Sequence, residues 1–326
     1  MKKILSILLA AALIVCTFAA CGNKKTDTSS DLAYVKDKGT LVIGITLFAP
    51  MDYYEEGNTT DLKGFEADFA RAVCEKLGVT PTFQVISWEA KESELNSKNV
   101  DCLWNGLTIT DARKNTMSIS TPYMANKQVL ITKSENADKY SSAGSLKGAT
   151  VVAEKESAGE EVATSDAFFE GANYTAVDSM AKAIMEVSSG TADAAVIDYV
   201  TGIGSIGEGT NYTNIVMVSG ANFADEEYGI AFRKDSDITP EVNKAIDELA
   251  KDGTLRTIAE KYKLGGQLLV GCVVLLELRP QSLRAGNVLA QQRFQLVQLG
   301  LFVERIGVVQ NRHDLLLHSV QVHGLL

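Results

Sequence analysis

From residue 40 onward, short apolar runs alternate with longer amphipathic segments along the chain. In residues 64–77, every fourth residue from Phe65 to Leu77 is apolar, which predicts a helix with one buried stripe, and Gly78 supplies a stop signal. This alternation is typical of βα units and mainly parallel sheets. The apolar runs predict strands at residues 41–45, 82–86, 101–104, 150–153, 194–197, 215–218 and 229–232.

Three further helices are predicted from residues that favour helix starts. Ser87 is expected to cap a helix running to residue 97, and Asp178 is expected to cap a helix over residues 179–188. Pro240 falls in the first turn of a helix ending at residue 250, a position that proline favours.

Two extended segments, residues 123–132 and 219–228, are predicted to pass between two lobes. If both cross, residues 126–224 form a second lobe that is inserted into a first lobe. The first lobe then consists of residues 35–125 and 225–265. Two crossings make a hinge on which the lobes can close.

The chain begins with Lys2 and Lys3, an apolar run over residues 4–15 and then small residues. This order is typical of a secretory signal peptide, here residues 1–21. The apolar run is shorter than the roughly 18 residues that a membrane-spanning helix needs. The peptide ends in Phe-Ala-Ala-Cys, which resembles a bacterial lipobox and implies that Cys21 carries diacylglycerol and palmitate.

The alternative is an ordinary signal peptide whose cleavage site happens to precede a cysteine. Residues 22–34 are polar and without periodicity, which predicts a flexible tether. We therefore expect the folded part at the extracellular face of the bacterial cytoplasmic membrane, on the periplasmic side in a Gram-negative cell.

Composition separates the body of the chain from its end. The 41 acidic residues exceed the 31 Lys and Arg, so the formal net charge is −10. Residues 266–326 contain no lysine, five arginines and three acidic residues, a charge of +2 that leaves −12 for residues 1–265. An acidic surface repels phosphate, which excludes a nucleic-acid or anionic-membrane partner held by charge.

The segment 266–326 is interpreted as an atypical C-terminal extension, with a non-native origin favoured over a real interaction domain. Its three histidines, His313, His318 and His323, recur every five residues and do not share one helical face, so no metal site is predicted. Cys74 and Cys102 lie in apolar contexts, where buried free thiols are expected and a disulfide between them stays open.

Candidate binding residues follow the predicted strands, because ligands of open α/β sheets bind beyond the carboxyl ends of the strands. Thr110 and Asp111 can open a helix, which would place Arg113 in its first turn with a fork of donors suited to a carboxylate. Asp198 closes an apolar strand, and Trp88 follows another. The structural alternatives are a solvated or core-bridging arginine, a helix-capping aspartate and a core tryptophan.

Several stretches resemble the extracellular solute-binding proteins of polar amino acid ABC importers (family 3). These stretches are residues 39–44 (GTLVIG), 62–68 (LKGFEAD), 86–91 (ISWEAK), 101–113 (DCLWNGLTITDAR) and 252–255 (DGTL). The resemblance spans about residues 35–265. It implies the type II periplasmic-binding-protein fold, an α/β fold of two lobes joined by a two-segment hinge. It also implies the capture of a free amino acid by lobe closure and its delivery to an ABC permease.

The same resemblance implies a role for each binding residue. Arg113 would grip the α-carboxylate, with Thr108 and amides near Gly106 as further donors, while Asp198 would take the α-ammonium. Aromatic rings would sandwich the ligand, and a second-lobe hydroxyl would reach its carboxylate. The complete expected set is Arg113, Asp198, Thr108, Gly106, Trp88, Phe48, Ser157 and Asn105.

Two departures from the family pattern leave the ligand open. The loop of residues 45–51 is one residue shorter than usual and lacks the acidic residues common near its start, which weakens the expectation of a cationic ligand side chain. Residues 156–158, Glu-Ser-Ala, stand where a Gly-Ser/Thr-Ser/Thr segment is typical.

The main rival is an enzyme on the same scaffold, such as a periplasmic dehydratase of a cyclic amino acid. It would need a general acid, for which Glu154 or Glu156 is the nearest candidate because residues 1–265 contain no histidine. A sensor domain fused to signalling machinery is a third alternative. The favoured function is a binding protein that is no enzyme, needs no cofactor and acts as a monomer.

Overall fold

The structure is a computed structural model that describes residues 30–270. The predicted signal peptide with Cys21, most of the predicted tether, and the three histidines lie outside the described residues. Among the described residues, no helix is both long and apolar enough to cross a membrane.

The first of two sheets within residues 30–270 has the strand order β2-β1-β3-β10-β4. β1 is parallel to β2 and β3, whereas β10 runs antiparallel to β3 and β4. Its strands are Thr40–Ile45 (β1), Thr80–Val85 (β2), Cys102–Leu103 (β3), Met117–Ile119 (β4) and Ala231–Arg233 (β10). Its helices are Asp31–Lys38 (α1), Phe65–Leu77 (α2), Lys91–Asn96 (α3), Asp111–Thr116 (α4), Thr239–Lys251 (α8) and Thr254–Lys261 (α9).

The second sheet has the strand order β7-β6-β8-β5-β9. β6 is parallel to β7 and β8, whereas β5 is antiparallel to β8 and β9. Its strands are Met124–Lys133 (β5), Thr150–Glu154 (β6), Asn173–Val177 (β7), Ala194–Asp198 (β8) and Ile215–Tyr228 (β9). Its helices are Ala158–Ser165 (α5), Met180–Ser189 (α6) and Tyr199–Ser205 (α7), and short 3₁₀ turns lie at Trp88–Ala90, Ser134–Asn136 and Ala167–Phe169.

The two sheets are joined by β5 and β9, which pair antiparallel over their length with two irregularities in register. Met124 pairs with Tyr228 at one end and Lys133 with Ile215 at the other. This pair coincides with the segments predicted to pass between the lobes. The two-lobed α/β fold expected from the sequence is therefore confirmed, and the passages are long paired strands.

The apolar stripe of α2 is confirmed, because every fourth residue from Phe65 to Leu77 is buried. Gly78 ends the helix with a left-handed φ of 66°, which glycine adopts without strain. The helix that follows β2 differs from its prediction. It begins as the 3₁₀ turn Trp88–Ala90, and the Ser87 side chain makes no capping hydrogen bond.

The helix α6 begins one residue later than predicted. Its cap is Ser179, whose hydroxyl accepts a hydrogen bond from the Lys182 amide, and not Asp178. The prediction for Pro240 is confirmed, because this residue stands in the first turn of α8.

The packing of the first lobe continues past residue 265, which corrects the expected end of the body. The Ala125 amide donates to the Gln267 carbonyl at 2.7 Å, and the Leu269 amide donates to the Tyr123 carbonyl at 3.0 Å. Leu268 is buried against Met124. Residues 266–270 are therefore part of the folded unit.

The two described cysteines, Cys74 and Cys102, are buried free thiols. Burial raises the pKa of Cys74 to about 12 and that of Cys102 well above its usual value. Both thiols are therefore protonated and unreactive at neutral pH.

Candidate functional site

A narrow cleft lies between the carboxyl ends of β3 in the first lobe and of β6 and β8 in the second. Seven of the eight residues expected from the sequence line it, and Phe48 is the exception. The lining residues are Trp88, Asn105, Gly106, Thr108, Arg113, Glu154, Ser157, Ala158, Met180 and Asp198. The strand ends thus gather one cation, two carboxyl groups and an aromatic ring.

Arg113 is placed by the start of α4. The Thr110 hydroxyl caps this helix by accepting the Arg113 amide at 3.2 Å, as the Thr-Asp pair predicted. The guanidinium donates one hydrogen bond, from Nη1 to the Thr108 carbonyl at 2.7 Å. Within residues 30–270 it has no carboxylate partner within 4.0 Å, although burial lowers its pKa. Its fork of donors therefore stays available to an anion in the cleft.

Asp198 ends β8 and is tied to both connecting strands. Its carboxylate accepts a hydrogen bond from the Tyr228 hydroxyl at 2.6 Å and another from Gln128 Nε2. Burial raises the pKa of Asp198, while these two donors lower it. The side chain is held rigidly in the wall of the cleft.

Glu226 was not singled out from the sequence. It lies on β9, where its Oε2 accepts from Thr108 Oγ1 at 3.1 Å, Asn126 Nδ2 at 3.0 Å and Gln128 Nε2 at 3.0 Å. Burial, followed by the charge of Asp198, raises the pKa of Glu226 to about 7. The signal in the sequence is an acidic triplet, residues 225–227, directly before an apolar run.

Glu154 is the last residue of β6 and is buried in the second-lobe wall. Its Oε1 has no hydrogen-bond partner among the described residues. Burial, followed by the charge of Asp198, raises the pKa of Glu154 to about 8, and Lys91 lowers it. At neutral pH the carboxyl therefore holds a proton.

Asn105 lines the cleft, and its side chain is engaged within the first lobe. Its Oδ1 accepts from the Thr46 amide at 2.9 Å and hydroxyl at 2.7 Å, and its Nδ2 donates to the Thr46 carbonyl at 2.9 Å and Asp52 Oδ2 at 3.2 Å. These bonds use the capacity of the amide, so Asn105 fixes the loop after β1 to the loop after β3.

The Gly106 amide is also hydrogen-bonded within the first lobe. It donates to Glu66 Oε1 at 2.9 Å and Oε2 at 3.1 Å, and the Tyr123 hydroxyl donates to the same carboxylate. The Gly106 amide is therefore used within the first lobe, and donation to a ligand carboxylate by the other amides near Gly106 and Thr108 stays a prediction. Gly106 has a φ of 58°, and an added Cβ would lie 3.3 Å from the Phe48 and Tyr228 rings, so the backbone requires glycine here.

Phe48 is buried beneath Gly106, which corrects the expectation that its ring sandwiches a ligand. Trp88 does line the cleft, with the Lys91 ammonium 5.2 Å from its ring centre. The Ser157 hydroxyl lines the cleft but caps α5, because it accepts the Glu160 amide at 3.1 Å and donates to the Glu154 carbonyl at 2.7 Å.

The lobes touch on both sides of the cleft. On one side the Lys91 ammonium donates to the Glu156 carbonyl at 3.0 Å. On the other side the Ser205 hydroxyl donates to the Ala49 carbonyl at 2.8 Å. The described arrangement is therefore the closed one, and the cleft is accessible to a ligand only when the lobes separate.

Chemically, the residues that line the cleft suit a small molecule that carries both an anionic and a cationic group. Arg113 supplies donors for the anion, and Asp198 supplies a carboxylate for the cation. Residues 30–270 contain no group of three or more His, Cys, Asp or Glu side chains arranged to hold a metal ion.

Comparison with known proteins agrees with this arrangement. Residues 41–265 match the model of the bacterial extracellular solute-binding proteins, family 3. The L-cystine-binding protein TcyJ of Escherichia coli (strain K12) is 31% identical over 230 residues, which cover 70% of this chain and 84% of that protein. The ABC transporter glutamine-binding protein GlnH of Bacillus subtilis (strain 168) is 28% identical over 278 residues, covering 80% and 97%.

A solved structure shows the same fold. It is the amino acid ABC transporter substrate-binding protein AbpA from Streptococcus pneumoniae, bound to L-arginine. The TM-score is 0.64 at 26% identity, and the match covers 71% of this chain and 98% of that one.

Proposed function

The chain belongs to the bacterial extracellular solute-binding proteins of family 3, and on this basis we propose that it captures a free amino acid for an ABC importer. Relatives named for cystine and glutamine, together with a structural neighbour bound to L-arginine, support this proposal. These proteins are binding components, which favours a binding protein over the dehydratase alternative.

The observation that carries the proposal is the separation of Arg113 from Asp198. Both groups line the closed cleft, and no ion pair joins them within the described residues. A charge buried without a partner is costly. An amino acid zwitterion supplies the missing partner to each, its carboxylate to Arg113 and its ammonium to Asp198.

Ligand binding would then drive closure. A ligand that bridges the two walls contacts both lobes only when they are closed, so it shifts the population towards that state. A permease in the cytoplasmic membrane would recognise the closed form. Because β5 and β9 are the two links between the sheets, we place the hinge in this strand pair.

The test is a thermal-shift screen of the full chain against the twenty common amino acids and L-cystine, because a ligand of the native state raises its melting temperature. Arg113→Ala should weaken the best ligand at least about 30-fold in calorimetry, roughly 2 kcal/mol. The matched control is Lys114→Ala, which removes the neighbouring exposed cation of α4. A screen in which no amino acid shifts the melting temperature would overturn the proposal.

We further propose that Cys21 anchors the chain to the membrane through lipid, with the residues between Cys21 and α1 as the tether. The Phe-Ala-Ala-Cys ending of the leader supports this. Labelled palmitate should enter the wild-type chain and not Cys21→Ala, and equal labelling would contradict the anchor. We also propose that the protein acts as a monomer.

A further inference from the structure

Glu154 lines the cleft, and one of its carboxyl oxygens has no hydrogen-bond partner among the described residues. Its side chain is 2% exposed and lines the cleft beside Asp198. Its Oε1 finds no donor among the described residues. Buried polar oxygens in native proteins are nearly always hydrogen-bonded, and an unbonded one costs free energy. The position therefore calls for a donor that arrives from outside the protein.

The charges of the cleft indicate what kind of donor this is. Asp198 and Glu154 line the cleft, and Glu226 lies directly behind Thr108. Among the described lining residues, Arg113 is the cation. A zwitterion brings one charge of each sign, so it pairs Arg113 with one of the two lining carboxyl groups and leaves the other carboxyl group without a partner.

Lys91 is a protein cation whose charge acts on Glu154, and its ammonium is engaged elsewhere. Its ammonium donates to the Trp88 carbonyl at 3.3 Å and the Glu156 carbonyl at 3.0 Å. It forms no ion pair within 4.0 Å in the described part of the chain. The charged groups facing Glu154 are thus Asp198, Lys91 and Arg113, and none of them bonds its Oε1.

We propose that Glu154 binds a cationic side-chain group of the ligand, so that the ligands are basic amino acids carrying a side-chain ammonium or guanidinium. This inference rests on the proposed function and adds its substrate class. Trp88 and Met180 supply apolar walls for the aliphatic stem of such a side chain. The loop of residues 45–51 contains no acidic residue, and Glu154 supplies that charge from the second lobe.

A proton balance accompanies this binding. In the closed, ligand-free arrangement, burial raises the pKa of the Glu154 carboxyl to about 8, which favours the protonated form at pH 7. A ligand cation beside it favours the ionised carboxylate, so the proton leaves Glu154 for the buffer. Binding of a cationic amino acid at pH 7 should therefore release more protons than binding of its uncharged match.

The experiment is calorimetry of the full chain with two matched pairs of probes. L-arginine is compared with L-citrulline, and L-lysine with L-norleucine, each in two buffers of different ionisation enthalpy at pH 7. One cationic probe should bind at least about tenfold tighter than its uncharged match and should release more protons than that match. Glu154→Gln should lose both the preference and the additional proton release.

The matched control is Glu156→Gln, which removes an exposed carboxylate two residues away and should change neither quantity. Glu154→Asp keeps the charge and should retain part of the preference, and thermal unfolding of each variant verifies its folding. Equal binding of charged and uncharged probes by the wild type, or an unchanged preference in Glu154→Gln, would overturn the inference. Tight binding of uncharged amino acids alone would overturn it and leave the proposed function standing, whereas no binding of any amino acid would overturn both.

Discussion

Glu66 and Glu154 lie in two different regions of the molecule and are equally buried, yet they differ in their hydrogen-bond partners. Glu66 lies behind the Gly106 loop and accepts hydrogen bonds from the Gly106 amide and the Tyr123 hydroxyl. Glu154 lies in the second-lobe wall, where its Oε1 accepts none from the described residues. Burial raises the pKa of both, to about 7 and about 8. The partners of a buried carboxyl, and not its burial, therefore separate framework from binding site.

Removal of the framework carboxyl should have the largest effect on stability. Glu66→Ala leaves the Gly106 amide and the Tyr123 hydroxyl unbonded and opens a cavity in the first lobe. We expect the free energy of unfolding to fall by about 4–5 kcal/mol, measured by urea denaturation. Glu75→Ala, an exposed site on the same helix, should stay within about 0.5 kcal/mol of the wild type. A loss below about 1 kcal/mol in Glu66→Ala would show that this network contributes little.

Replacement of the cleft carboxyl of Glu154 should raise the free energy of unfolding, whereas replacement of Glu66 should lower it. The ordinary pKa of a glutamate is 4.5, and burial raises that of Glu154 to about 8. Folding therefore retains a proton that the unfolded chain releases above pH 4.5, and the associated stability is lost as pH rises towards 8. Glu154→Gln cannot ionise, so the ligand-free variant should be more stable than the wild type at pH 8, by up to about 4 kcal/mol where the lobes stay closed.

Urea denaturation at pH 5 and pH 8 measures this difference. The gain in Glu154→Gln should be small at pH 5, and Glu156→Gln should follow the wild type at both values because its carboxylate is exposed. A variant that is less stable than the wild type at pH 8 would show that Glu154 has a framework partner after all. Its tolerance of replacement, combined with a loss of ligand preference, is what distinguishes a binding residue.

Much of the scaffold could be predicted from local sequence. Apolar runs gave β1 and β8 within a residue or two, because buried parallel strands are almost continuously apolar. Arg113 was also within reach, since the Thr-Asp pair that precedes it specifies a helix start. Each of these features depends on neighbours a few residues away.

The polar partners inside the site could not be predicted in the same way. Asn105 is satisfied by Thr46, which is 59 residues distant, and Glu226 accepts from Thr108, which is 118 residues distant. Such pairs form only after the sheets and the connecting strands have been assembled. Ser157 was expected to reach a ligand, but its hydroxyl caps α5, a use that the local sequence equally allowed.

Loss of a single tyrosine hydroxyl, in the framework or in the cleft, should have the smallest effect on stability. The Tyr123 hydroxyl donates to Glu66 in the framework, and the Tyr228 hydroxyl donates to Asp198 in the cleft at 2.6 Å. Replacement of either by phenylalanine removes one buried hydrogen bond. Each variant should lose about 1 kcal/mol of unfolding free energy, so stability alone should not tell them apart.

Ligand affinity should tell them apart. The Tyr228 hydroxyl lowers the pKa of Asp198, so Tyr228→Phe raises that pKa further and reduces the negative charge available to the ligand ammonium. We expect a loss of about three- to tenfold in affinity for the best amino acid of the thermal-shift screen, and a recovery as pH rises. Tyr123→Phe should keep its affinity within about twofold, because Glu66 reaches the cleft only through the Gly106 backbone. Equal losses of affinity in the two variants would mean that the Gly106 loop and the Asp198 wall act as one unit, and the distinction between framework and binding carboxyls would then fail.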